Sequence, residues 1–289
     1  MISVIIAAHD EEQVIGACLD SLSAHAEPGT LQIIVCANGC SDGTADVARL
    51  RGATVVERVD AGKPGALNAA ESIATGFPRV YLDADIVVPP HGLDRLIAAL
   101  DDGALAAVPR RILHADGRPL LVRAYCTISE RLPVFRDGLF GRGMIAVSAA
   151  GRARFERFPD MVADDLFLDA QFTSAEKAEA RDVSVVVQAP RTTRALLHRL
   201  VRVRRGNAEM RAAAVRGEVQ VEVRSSDRWA WLREVVLRQP WLVFAAVPYV
   251  IVTVAAAVAA RRDGGAPIAW GRDGTTRVPS GAPDASTAS

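Results

Sequence analysis

The chain has few cysteines, four in 289 residues, and Cys18, Cys36, Cys40 and Cys126 do not form a metal-ligand pattern. Cys36-x-x-x-Cys40 has no second pair or histidine cluster downstream, so all four are expected as reduced thiols and a disulfide scaffold is excluded. The first strand-to-helix turn has no glycine. It reads Ala8-His9-Asp10-Glu11-Glu12, and carboxylates standing where a dinucleotide-binding fold presents glycines would repel a pyrophosphate, which excludes a nicotinamide-dependent enzyme. Residues 8–20 also lack the Gly-rich, Lys/Arg-bearing loop of a nucleotidyltransferase. Net charge is zero, so no overall field gathers nucleic acid. No cationic leader precedes the first apolar run, and that run is too short and too soon followed by Asp10-Glu11-Glu12 for a signal peptide. The body is therefore expected in the cytosol. Lysine is scarce, with only Lys63 and Lys177; arginine supplies the remaining positive charge and crowds residues 191–238.

What the chain does have is alternation. Apolar runs at residues 4–8, 33–37, 80–82 and 105–108 read as buried strands, and the stretches between them have helical spacing, with Val14, Ala17, Cys18 and Leu22 on one face. This is a βαβ layout, an α/β fold with a mainly parallel sheet, in which ligands sit beyond the carboxyl ends of the strands. Asp10 stands at such an end, either capping the next helix with Glu11 and Glu12 in its first turn, or touching a ligand together with Glu11. Asp83-Ala84-Asp85 stands at another. Two hard carboxylate oxygens there suit a divalent cation carrying a diphosphate, although chance yields about one Asp-x-Asp in a chain of this size and a solvated strand end is the alternative. Lys63 lies among Gly62, Pro64 and Gly65, where the backbone folds tightly and an ammonium can reach a phosphate, and Pro64 starts the helix that carries Leu67 and Asn68.

In this order the motifs resemble those of the inverting family-2 glycosyltransferases of GT-A type, over roughly residues 1–207. Members typically open with a strand, a small-residue turn and an Asn/Asp-Glu pair. They continue with an Asp-Asp-Gly-Ser-Thr-Asp-like segment, Lys-x-x-x-Leu-Asn, and Asp-x-Asp. Here stand His9-Asp10-Glu11, Asn38-Gly39-Cys40-Ser41-Asp42, Lys63-Pro64-Gly65-Ala66-Leu67-Asn68 and Asp83-Ala84-Asp85. The resemblance implies a nucleotide-diphosphate sugar donor, a UDP-sugar among the candidates, and an Mn²⁺ or Mg²⁺ ion on Asp85 and Asp83. It implies donor contacts from Ala8, Asp10, Glu11, Asn38, Lys63 and Asp83. Where members carry paired aspartates before the glycine, this chain has Ala37-Asn38, which leaves the base open; an amide can still bond a base edge.

Asp164-Asp165 resembles the family's Glu-Asp pair at a helix start. By that alignment Asp165 is the base for the acceptor hydroxyl and Asp164 supports it; a one-residue shift exchanges them, and ordinary first-turn acids look the same. Membrane-associated members often carry Gln-x-x-Arg-Trp. Arg199-Leu200-Val201-Arg202-Val203 matches it in part and implies Arg199 and Arg202 as donor contacts, with Arg191 and Arg194 a weaker alternative and a basic helix on anionic headgroups another. The glycine-rich residues 137–143, after a helically spaced stretch at 118–135, are expected either near donor sugar and acceptor or as a simple turn.

Residues 241–260 carry no formal charge, lie between Arg238 and Arg261-Arg262, and are long enough to cross a hydrocarbon core. Pro248 interrupts them, and cations at both ends leave the orientation undefined. Trp229, Trp231 and Trp241 suit a headgroup belt. The expected organisation is a GT-A-type catalytic domain at 1–215, amphipathic and apolar helices at 216–262 that associate with or span a membrane, and a flexible Gly/Ser/Thr/Pro-rich tail at 263–289. The expected activity is inverting sugar transfer to an acceptor hydroxyl, lipid-linked or polysaccharide, at the cytoplasmic face of the cell membrane, with no nucleic-acid partner. A catalytically silent sugar-binding or scaffolding protein of a polysaccharide assembly complex is the rival.

Overall fold

The computed structural model describes residues 1–101, 103–161, 163–219 and 227–262. The apolar runs form strands buried on both faces: in β1 (Ile2–Ala8), Val4, Ile6 and Ala8 enter one core while Ile5 and Ala7 enter the other. The chain continues through α1 (Glu12–Ser23), β2 (Leu31–Asn38), α2 (Thr44–Leu50), β3 (Thr54–Arg58), α3 (Lys63–Glu71), β4 (Arg79–Asp83), α4 (Gly92–Ala98), β5 (Ala106–His114), α5 (Leu120–Ser129), α6 (Pro133–Asp137), β6 (Met144–Val147), α7 (Ala149–Arg152), α8 (Asp164–Ala170), β7 (Lys177–Gln188), α9 (Thr193–Val215) and α10 (Val243–Arg262). The strands form one seven-stranded sheet in the order β3-β2-β1-β4-β6-β5-β7. All neighbours are parallel except β6, which runs antiparallel to β4 and β5. Ala7 is level with Asp83 and with Cys36, so the carboxyl ends of β1, β2 and β4 open on one edge, where an α/β sheet binds its ligand.

Several local expectations are corrected. The buried face of α1 is Ile15, Cys18, Leu19 and Leu22; Ala17 points to solvent. The strand begun at residue 106 runs on to His114 past an irregularity between Pro109 and Arg110. The helical stretch at 118–135 is two helices, because Pro133 cannot donate to a preceding turn and starts α6 anew. Strands β3 and β7 went unread. Both are sheet edges, β3 half-exposed and β7 carrying Glu179, Arg181 and Asp182, so neither shows a plain apolar run.

The C-terminal helices belong to the body. Met210 and Ala213 of α9 enter the second core, and Leu196 packs with Val122, Cys126, Ala189 and Val252. Helix α10 lies on α5, with Tyr249 stacked on Tyr125 at 5.2 Å, and buries Ala246, Tyr249, Val252 and Ala256. Its other side, Phe244, Val247, Ile251, Val254 and Val258, is exposed, Phe244 by 85%. From Pro240 to Arg262 the chain is long and apolar enough to cross a membrane. Residues 220–226 and the tail expected at 263–289 lie outside the described residues.

Candidate active site

Lys63 opens α3, and its Nζ lies 2.9 Å from Asp83 Oδ1 and 2.9 Å from Asp164 Oδ2. The Asp-x-Asp segment at the end of β4 and the paired acids opening α8 are thereby joined at one centre. Burial works against the ammonium, but Asp164, Asp83 and Asp165 together outweigh it and hold Lys63 firmly protonated. The expected phosphate-reaching lysine thus answers carboxylates.

Asp165 is pushed up to about 7, first by burial and then by the negative charge of Asp164, while Lys63 and the Gly141 N–H pull the other way. That N–H donates to Asp165 Oδ2 at 3.3 Å, which sets the glycine-rich stretch beside the acid. Gly141 and Gly143 both have positive φ (68° and 70°); a Cβ on Gly143 would stand 2.6 Å from Ile86, so only glycine lets this stretch pass the end of β4. There the Gly143 carbonyl accepts from the Asp83 N–H at 2.8 Å. Asp85 opens to solvent, yet the surrounding protein and Asp83 raise its pKa against the pull of Arg199 and Lys63.

Asp10 does not cap α1. The residue before the helix is Glu11, without a side-chain cap; Asp10 sits at φ 53° and accepts from the Ser41 N–H at 2.6 Å. The Glu11 N–H donates to Thr44 Oγ1 at 2.8 Å, and Glu12 Oε2 accepts from the Gly43 N–H at 3.1 Å. The loops after β1 and β2 are therefore stapled together. Asn38 departs from the expected base contact: it is fully buried, its Nδ2 donates to the Ala8 carbonyl at 2.7 Å and its Oδ1 accepts from the Gly62 N–H at 2.8 Å. Ala8 itself is buried and offers that carbonyl. Arg199 and Arg202 are half-buried on α9, and the charge of Arg199 reaches Asp85.

Two further residues, to which the sequence assigned no role, position the site. Asn68 exchanges two hydrogen bonds with the backbone of Phe158, 2.9 and 2.8 Å, and so holds the segment that leads into α8. Asp169 accepts from the Leu139 N–H at 3.0 Å and from Lys177 Nζ at 2.7 Å, tying the glycine-rich stretch to α8. For Asn68 a signal existed in Lys-x-x-x-Leu-Asn; for Asp169 there was none.

A glycosyl transferase family 2 model matches residues 3–158. A dolichyl-phosphate hexose transferase of Haloferax volcanii is 30% identical over 138 residues, 47% of this chain and 60% of that protein. An uncharacterized glycosyltransferase of Nostoc sp. is 26% identical over 137 residues, 45% of this chain and 42% of that protein. The chain spans about half the length of these curated relatives (60% and 42%). Among solved structures, the mannosyltransferase PcManGT of Pyrobaculum calidifontis, in complex with GDP-Man and Mn²⁺, has a TM-score of 0.61 at 21% identity, over 91% of this chain and 86% of that one. The glucosyl-3-phosphoglycerate synthase of Mycobacterium tuberculosis has a TM-score of 0.50 at 23% identity, over 65% and 70%. At such identities these structures speak for the fold, and with a family model that covers more than half of the chain they lead to one conclusion: the chain belongs to glycosyl transferase family 2, built on a GT-A-type sheet.

Proposed function

We propose that this chain transfers a sugar from a nucleotide-diphosphate sugar to an acceptor hydroxyl, with inversion, at the cytoplasmic face of the cell membrane. The observation that carries the reading is the Lys63 bridge, which brings the Asp83 and Asp164 carboxylates to one cation and so puts donor and acceptor chemistry side by side. Asp165 takes the proton of the acceptor hydroxyl as its oxygen attacks the anomeric carbon; the bond to the β-phosphate breaks and the nucleoside diphosphate leaves with the electron pair. A carboxyl raised to about 7 is matched to that task at neutral pH. Asp164, held by Lys63, keeps the pair oriented.

The donor set fits a divalent cation. Asp83 and Asp85 offer hard oxygens at one strand end, and the pKa of Asp85, raised first by burial and then by Asp83, stays raised even with Arg199 and Lys63 near. Asp85 with Asp83 would hold Mn²⁺ or Mg²⁺, which when bound neutralises charge on the departing diphosphate. Asp10, Glu11 and the backbone around Ala8 shape the nucleoside end, and Arg199 and Arg202 the diphosphate end. The exposed apolar side of α10, with exposed Trp229 and Trp241 near Arg228 and Arg238, supports a membrane surface and hence a lipid-linked acceptor. The Haloferax relative, by its name, acts on a dolichyl phosphate, in line with that acceptor class.

The test is a thermal-shift panel of nucleotide sugars with and without Mn²⁺, followed by turnover with the donor found. One sugar nucleotide should raise the melting temperature only with metal, by mass action. Donor binding without any turnover, to transfer or to hydrolysis, would favour the silent sugar-binding protein.

A further inference from the structure

We infer that Arg111 is the seat of a phosphate group on the acceptor, carried on an apolar chain that runs out over α5 and α10; this rests on the transferase reading above. The Arg111 Cζ stands over the Phe135 ring, 4.2 Å from its centroid, a cation held on an aromatic face. Its Nη2 is buried and meets no hydrogen-bond acceptor of the protein. A Cβ built on Gly141 would stand 3.3 Å from its Nη1, and the Gly141 N–H donates to Asp165, so Arg111 and the proposed base are separated by the thickness of one glycine.

The surrounding charges ask for an anion. Burial, Arg142 and Arg199 push Arg111 down to about 10, opposed by Glu130. Arg142 is answered: it pairs with Glu179 at 2.6 Å and donates to the carbonyls of Pro109, Phe135 and Arg136. Neither Arg111 nor Arg199 has an ion-pair partner among the described residues. The field of Arg199 reaches Asp85 on the donor side. The charges that act most on Arg111 are Arg142, Glu130 and Arg199. A planar fork on an aromatic face suits a phosphate. Apolar side chains lie beyond it: Leu113, two residues on and so on the same face of β5, packs on the cluster of Val122, Cys126 and Leu196, Leu120 and Leu121 project from α5, and α5 carries α10 with its exposed Phe244, Val247 and Ile251. A phosphate head at Arg111 therefore has an apolar path for its tail.

The experiment uses the full chain in mild detergent and decyl phosphate as probe, with decanol and inorganic phosphate as separate arms and nucleotide plus Mn²⁺ as a control. Decyl phosphate should bind at least about tenfold more tightly than either arm, the scale of one charge-assisted hydrogen bond. Arg111→Met should lose that preference while nucleotide affinity stays within about twofold, and Arg111→Lys, which keeps the charge but loses the fork, should fall between. Arg111→Met that binds decyl phosphate like the wild type would overturn the inference. So would decanol or inorganic phosphate binding as tightly as decyl phosphate, or an equal loss of nucleotide affinity, which would assign Arg111 to the donor. Should the methionine variant fail to fold, a lysine variant with full wild-type affinity for decyl phosphate has the same force. Failure of the wild type to bind any nucleotide with Mn²⁺ strikes instead at the transferase reading.

Discussion

Lys63 holds Asp83 and Asp164 at 2.9 Å each, so the two acidic motifs are fixed relative to each other before any ligand arrives. Asp85 is left outside that bridge and open to solvent, and Asp85→Ala should abolish metal-dependent donor binding while leaving the fold intact; calorimetry that finds wild-type affinity for donor plus Mn²⁺ would refute the assignment. Asp165→Asn should bind donor almost normally and turn over at least about a hundredfold more slowly. If Asp164→Asn proves dead and Asp165→Asn active, the roles are exchanged. The raised pKa of Asp165 adds a signature in pH. Turnover should rise through about pH 7 as the carboxyl loses its proton. Stability runs the other way: an unfolded aspartate loses its proton near about 4, so in the window up to about 7 the folded state holds a proton that the unfolded state has released. Stability contributed by that proton is lost as pH rises, and the melting temperature of Asp165→Asn should exceed that of the wild type by a margin that grows between about pH 4 and 7 and is constant above. A constant margin at all pH values would mean an ordinary carboxyl.

At the scale of elements, α10 presents two faces with different work. Tyr249 is buried against Tyr125 and close to Trp231, so Tyr249→Ala should destabilise the protein by about 3 kcal/mol, the usual cost of deleting a buried ring. Phe244, Val247 and Ile251 are exposed by 85, 59 and 57%, and exchanging all three for serine should release the chain from anionic vesicles with little change in melting temperature. Vesicle binding that survives the triple exchange would assign these residues elsewhere. Helix α10 is also part of the packing: removing it would strip cover from Ile128, Val122 and Leu196. The strands buried on both faces and the strand-end acids were legible because their periodicity is local. β3 and β7 were not, since an edge strand needs an apolar face only where a helix covers it.

For the whole molecule, the internal ammonium of Lys63 supplies a positive charge where the two acidic motifs meet, so a chelator should leave the melting temperature of the ligand-free protein unchanged while abolishing the gain from donor; a large drop with chelator alone would point to a structural metal. The strands at residues 4–8, 33–37 and 80–82, and the acids that follow the first and the last of them, were settled by the sequence alone, because an apolar run and a strand-end carboxylate are written in consecutive residues. The same holds for the helix opening at Pro64 and the uncharged run at 241–260. Only the tertiary structure decided which partners those residues meet. Asn38 turned inward to bridge two backbones, Asp10 left the helix cap for Ser41, Lys63 chose two carboxylates from different motifs, and Arg111 came to rest on Phe135 beside Gly141. Such pairings join residues far apart in the chain. They are set by the spatial order of the strands in the sheet and by the cost of leaving a buried polar group unanswered, and neither can be read from local spacing.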